Sequence, residues 1–207
     1  TYEEMYWKYE YNRFFDSFEH YYSLYHHRNL ELWAEYADGK VTKEELNRQR
    51  YLYPLKAVGI CDSALAKAYE KDALAAIPTK SKLMPHAREV LEYLSSKYNL
   101  YILSNGFKEL QSHKMHSSGI DKYFKKIVLS DDIGVLKPWP EIFYFALSAT
   151  QSELKDSLMI GDSWENDIAG AAGVGMHQVF YNLSGRMDLP FMPTYQISDL
   201  TELLDLL

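Results

Sequence analysis

The chain has 207 residues, 47% hydrophobic and 25% charged, a balance ordinary for a soluble globular protein of one domain or a core domain with a smaller appendage. Its formal charge of −7 disfavours non-specific binding to nucleic acid, because phosphate backbones select basic surfaces. No apolar run approaches the roughly 20 residues needed to span a bilayer, and nothing at the start reads as a signal peptide.

Composition divides the chain near Pro78, which predicts a helical domain over 1–78 and an α/β domain over 79–207. In the first part, residues Tyr2–Tyr9 read as a helix already in progress. Asp16 with Glu19, and Thr42 with Glu45, have the spacing of capping boxes that each open a helix. Phe14, Phe18, Tyr21, Tyr22 and Tyr25 recur at helical spacing, followed by Trp33 and Tyr36. Gly39 breaks this run, Gly59 ends the next helix, and a last one is expected from Ser63 to Ala76. About four helices with dense aromatic faces result. Such a stripe predicts helix–helix core, with stacking on a substrate ring as the alternative. The single cysteine, Cys61, excludes an internal disulfide and is expected to be a half-buried thiol in a reducing cytoplasm.

After Pro78, short apolar strands alternate with helices. Pro85 is placed in the first turn of a helix to Lys97, and strand Leu100–Leu103 follows. A helix then stops at Gly119, ahead of strand Ile127–Ser130. Pro140 opens a helix to Thr150, followed by strand Leu158–Ile160, a helix to about Ala172, and strand His177–Tyr181. Ser198 is read as the cap of a last helix to Leu207. This alternation implies βαβ units and a parallel sheet.

Ligands of open α/β sheets bind beyond the carboxyl ends of the strands, so polar residues there are the candidates for chemistry. The first strand stops at Ser104, Asn105 and Gly106, where a hydroxyl and free amides at a helix start suit a phosphate, although many strand-to-helix turns look alike. The stretch Gly161-Asp162-Ser163-Trp164-Glu165-Asn166-Asp167 is acidic. Asp162 at the strand tip is a hard oxygen donor suited to Mg²⁺ and Asp167 a second carboxylate, while either residue type also caps helices. Lys137 is followed by Pro138 and Pro140, a stiff setting in which an ammonium can neutralise phosphate charge.

Taken together, Ser104-Asn105-Gly106, then Lys137-Pro138 33 residues on, then Asp162 25 further, resemble motifs II, III and IV of the haloacid dehalogenase superfamily. The aromatic helical block resembles that family's cap. The phrases around Ser104, Asp131–Pro140, Gly161–Ala171 and the tail Pro193–Leu207 look most like its pyrimidine 5′-nucleotidase branch. The resemblance implies a Rossmann-like parallel sheet core with an all-helical cap, and a Mg²⁺-dependent phosphomonoester hydrolase acting through a phosphoaspartate. It implies a small phosphorylated substrate, a nucleotide, and no nucleic-acid or membrane partner, in a cytoplasmic monomer or homodimer. Ser104 and Asn105 would bind the phosphoryl group, and Lys137 would balance its charge. Asp162 would bind the metal, and Asp167 would position Lys137 or a metal-bound water.

One motif of the family has no counterpart. Its nucleophile and acid/base lie in an Asp-x-Asp-x-Thr triplet on the first, central strand, and no Asp-x-Asp occurs in the 207 residues. Without that strand the sheet would have a gap between the Ser104 and Asp162 strands. Each unpaired N–H or C=O there would cost about 1–3 kcal/mol, against a total stability of about 5–15 kcal/mol. With Thr1 in place of an initiator methionine, the N-terminus is therefore expected to be cut and the C-terminus native, with roughly 20 residues upstream. The chain as written is expected to be inactive. Rival readings are another activity of the superfamily (a sugar-phosphate or phosphoglycolate phosphatase, a phosphomutase or a 2-haloacid dehalogenase) and a non-catalytic binding protein. His113 and His116 lack a third zinc ligand, Gly173-Val-Gly175 precedes a strand where a dinucleotide loop would follow one, and Lys80 and Lys82 read as solvated.

Overall fold

A computed structural model describes residues 1–207, which form two compact units, Thr1–Lys80 and Ser81–Leu207. The first is helical: α1 (Tyr2–Lys8), a 3₁₀ turn at Tyr11–Arg13, α2 (Phe18–Ala37), α3 (Lys43–Ala57) and α4 (Ser63–Ala76). The cap of α2 is Ser17, one residue later than the spacing of Asp16 and Glu19 suggested. Ser17 has the extended backbone a cap needs, and its Oγ accepts from His20 N at 3.1 Å. Thr42 caps α3 as read, accepting from Glu45 N at 3.1 Å, but the Glu45 carboxylate turns to Arg48 and Gln49. Gly39 and Gly59 take φ of 69° and 82°, the left-handed turn that ends a helix.

The aromatic residues make the core of this unit. Tyr6, Tyr11, Tyr21, Tyr51 and Tyr69 are fully buried, with Tyr11 stacked on Tyr69 at a centroid distance of 4.8 Å. Cys61, expected to be half-buried, is exposed: it lies in the turn between Gly59 and α4, outside any apolar face.

The second unit alternates as expected: α5 (Ala87–Lys97), β1 (Leu100–Ser104), α6 (Lys108–Ser118), β2 (Phe124–Leu129), α7 (Pro140–Thr150), β3 (Leu158–Gly161), a π-helical turn (Trp164–Ala169) continued by α8 (Gly170–Gly173), β4 (His177–Tyr181), β5 (Tyr195–Ile197) and α9 (Leu203–Leu206). Pro85 falls outside α5, because His86 takes a left-handed conformation that starts the helix at Ala87. Ser130 belongs to a 3₁₀ turn rather than to β2. Ser198 is not the final cap; Asp199 is, and Glu202 reaches back to accept from Asp199 N at 2.9 Å. β5 went unread because two of its three residues are exposed and no apolar run marks it.

All strand pairs are parallel, but they form two sheets. One is β1–β2, with Ser104 opposite Leu129; the other is β3–β4–β5, with Gly161 opposite Phe180. β1 and β3 share no ladder, so each has one open edge. The break falls where the absent strand was expected. Core residues lie on both faces of β4. Val179 packs with Val90, Leu94 and Leu203, while Phe180 packs with Trp164 and Ile168, in keeping with the two-residue period of a strand.

Candidate active site

At the end of β1 the chain turns through Ser104, Asn105 and Gly106 into α6. Ser104 Oγ accepts from Gly106 N and from Gln111 Nε2, both at 3.0 Å. A Cβ on Gly106 would stand 2.8 Å from Gln111 Cδ. The absence of a Cβ at Gly106, whose φ is not among the positive ones, lets the Gln111 side chain lie against the turn; a side chain there would make Gln111 swing away. The Asn105 carboxamide is committed elsewhere. Its Nδ2 donates to Lys137 O at 2.9 Å, and its Oδ1 accepts from Lys137 N at 2.7 Å. Asn105 thereby fixes the backbone of residue 137, and contact with a ligand is left to its main chain.

Lys137 and Asp167 meet as a buried ion pair, Nζ to Oδ1 at 2.5 Å. Nζ also donates to Leu103 O at 2.9 Å. One ammonium therefore touches both the end of β1 and the turn after β3, and it links two sheets that share no ladder. Of its three N–H donors, one is left for a further acceptor. Asp167 is held from the other side: Ser163 N donates to Oδ2 at 3.1 Å. The Ser163 carbonyl accepts from both Asp167 N (2.9 Å) and Ile168 N (3.3 Å), the widened turn that aims Asp167 inward. A Cβ on Gly161 would lie 2.5 Å from Asp167 Cγ, so only glycine leaves room for this carboxylate. Two neighbours brace the arrangement. Ser130 Oγ donates to Asn105 O at 3.3 Å, and Asp131 accepts from Lys108 N at 3.0 Å at the start of α6.

Asp162 is exposed at the end of β3, and its carboxylate has neither a hydrogen bond nor an ion pair. It is the hard oxygen donor that Mg²⁺ prefers, but Mg²⁺ takes about six oxygens in octahedral array. Both Asp167 oxygens are engaged, and no group of three His, Cys, Asp or Glu side chains is placed to hold a metal ion. The donor type fits magnesium; the number of donors does not. His113 and His116 gain no further ligand, and His116 instead faces Asp121.

The second unit is a parallel α/β domain whose polar residues converge at the ends of β1 and β3. A family model for haloacid dehalogenase-like hydrolases matches residues 3–175, and the chain belongs to that family. It is 31% identical over 182 residues to the HAD-hydrolase YfnB of Bacillus subtilis (strain 168), covering 86% of this chain and 76% of the relative. It is 31% identical over 181 residues to the pyrimidine 5′-nucleotidase YjjG of Escherichia coli (strain K12), covering 86% and 79%. A glyceraldehyde 3-phosphate phosphatase of Pyrococcus abyssi is 39% identical over 99 residues, covering 47% and 42%. The crystal structure of Bacillus subtilis YfnB bound to magnesium superposes with a TM-score of 0.81 at 28% identity, over 90% of this chain and 81% of that one.

In the sequence no role was assigned to Gln111, Ser130, Asp131 or Gly161, although Asp131 and Gly161 stand within the motif stretches. Ser130 and Asp131 carry no signal beyond their position after a strand. The signals for the other two were local: Gly161 directly precedes Asp162, and Gln111 lies in the first turns of the helix that Ser104-Asn105-Gly106 opens.

Proposed function

We propose that this chain is the greater part of a magnesium-dependent phosphomonoester hydrolase, a 5′-nucleotidase acting on pyrimidine nucleoside monophosphates through a phosphoaspartate. The observation that carries the reading is the buried Lys137 ammonium. It is held between the end of β1 and Asp167 with one N–H unused, next in the chain's geometry to the Ser104 turn. In this reading Ser104 donates to a phosphoryl oxygen, with the Asn105 main chain beside it. Lys137 balances the charge on the phosphoryl group and on the attacking carboxylate, and Asp167 holds the Lys137 ammonium in place. Magnesium, with Asp162 as one ligand, would screen phosphoryl charge when bound. The attacking and acid/base carboxylates belong to an Asp-x-Asp-x-Thr strand for which the open edges of β1 and β3 offer pairing, so the 207 residues alone turn over no ester. The working enzyme is cytoplasmic, a monomer or homodimer; no helix is long and apolar enough to cross a membrane.

The likeness to the pyrimidine 5′-nucleotidase YjjG supports the nucleotidase reading. A second reading, a sugar-phosphate phosphatase, is favoured by the 39% identity to the Pyrococcus enzyme over half the chain. The test is a version extended upstream by an Asp-x-Asp-x-Thr strand, assayed with and without Mg²⁺ on UMP, dUMP, dTMP and sugar phosphates. Nucleotides are expected to be the better substrates, and Asp162→Asn to abolish turnover. Equal rates on sugar phosphates would remove the nucleotidase reading. Near wild-type turnover of Asp162→Asn would remove the metal assignment.

A further inference from the structure

A serine hydroxyl has one proton to donate and two lone pairs to accept with. At Ser104 both lone pairs are occupied, one by Gly106 N–H and one by the Gln111 side chain, whose carboxamide nitrogen faces Oγ at 3.0 Å. No acceptor for the Ser104 proton is present among its partners. The Gln111 side chain lies across the Cα of Gly106, in the space that a Cβ at that position would take.

We propose that Gln111 is a positioning residue that makes Ser104 a hydrogen-bond donor of fixed direction, and so restricts the site to ligands that only accept, such as phosphoryl oxygens. With both lone pairs filled, the proton points away from Gly106 and Gln111 without searching among rotamers. A ligand group that must itself donate, such as an alcohol or ammonium, finds no lone pair to meet. This rests on the phosphate reading of the Ser104 turn and adds the residue that sets its polarity.

The test is a double-mutant cycle on the 207-residue chain, titrated with inorganic phosphate and followed by phosphorus NMR or calorimetry. Melting temperatures of all variants confirm folding. Ser104→Ala is expected to weaken phosphate binding about tenfold or more, and Gln111→Ala about three- to tenfold. In the Ser104→Ala background, Gln111→Ala is expected to cost nothing further, because its effect passes through the hydroxyl. Gln111→Glu has the same shape but only accepts. It draws the Ser104 proton inward and is expected to weaken binding more than Gln111→Ala does. Part of this is charge repulsion, which remains in the Ser104→Ala background, whereas the hydroxyl-dependent part disappears there. Additive losses, or a Gln111→Glu variant that binds phosphate as the wild type does, would overturn the role of Gln111 and leave the phosphate site standing. Failure of the wild-type chain to bind phosphate would overturn both.

Discussion

Lys137 and Asp167 are the two buried charged side chains of the C-terminal unit, and neither is tolerable there alone. Removing one partner leaves a charge without water or counter-ion, so Lys137→Met is expected to lower stability by about 3–5 kcal/mol. The double variant Lys137→Met/Asp167→Leu should recover most of that loss, and urea unfolding of both variants decides the point. Full destabilisation persisting in the double variant would mean that Leu103 O and Ser163 N, rather than the pair, carry the stability. Gly161 is the other sensitive residue. A methyl there meets Asp167 directly, and Gly161→Ala is expected to cost about 1–3 kcal/mol by the same measurement. Lys137 and Asp167 could be picked out in the sequence by their spacing and stiff surroundings. That they bond to each other was one of two alternatives the family resemblance offered, and the structure has Lys137 as the partner; that Asn105 serves the backbone of residue 137 could not be read, because this contact joins residues about 30 apart through the folding of the strands.

Elements whose signals are local were legible. α4 and α7 begin and end where Ser63, Ala76, Pro140 and Thr150 placed them, and α6 stops at Gly119 with a left-handed φ of 63°. Caps distinguish near neighbours: Thr42→Ala should cost about 1 kcal/mol of stability, while Asp16→Ala should cost little, since Ser17 holds the α2 cap. Thermal unfolding of the two variants, compared side by side, checks this. The tyrosine-rich helices also have a defined response to alkali. Burial holds the Tyr11, Tyr21, Tyr25, Tyr51 and Tyr69 hydroxyls well above their ordinary range, and burial with Asp72 pushes Tyr9 to about 12. The native state then keeps protons that the unfolded state loses, so stability is intact below pH about 10 and falls as pH rises beyond it. Tyrosinate absorbance of these residues should therefore appear together with loss of helical circular dichroism. Their ionisation near pH 10 with the helices intact would contradict the buried core.

At the scale of the molecule, the two sheets are the governing fact. β1 and β3 present open edges at the place where the polar residues gather, and the chain's own acids do not complete a magnesium site. Millimolar Mg²⁺ is accordingly expected to leave the melting temperature of the 207-residue chain unchanged, whereas it should raise that of the strand-extended version, since only a bound ligand stabilises. A clear upward shift in the unextended chain would show that Asp162 and its surroundings hold the ion unaided.

Periodicity, capping residues and the three spaced motifs were enough to identify the α/β class, the helical first part and the neighbourhood of the chemistry, because each of these is a short-range property of the backbone and its hydrophobic pattern. The contact of Lys137 with Leu103 O, the placement of Gln111 over Ser104 and the widened turn that aims Asp167 emerged only when distant segments were brought together. They depend on the spacing between packed strands, which no local stretch of sequence encodes.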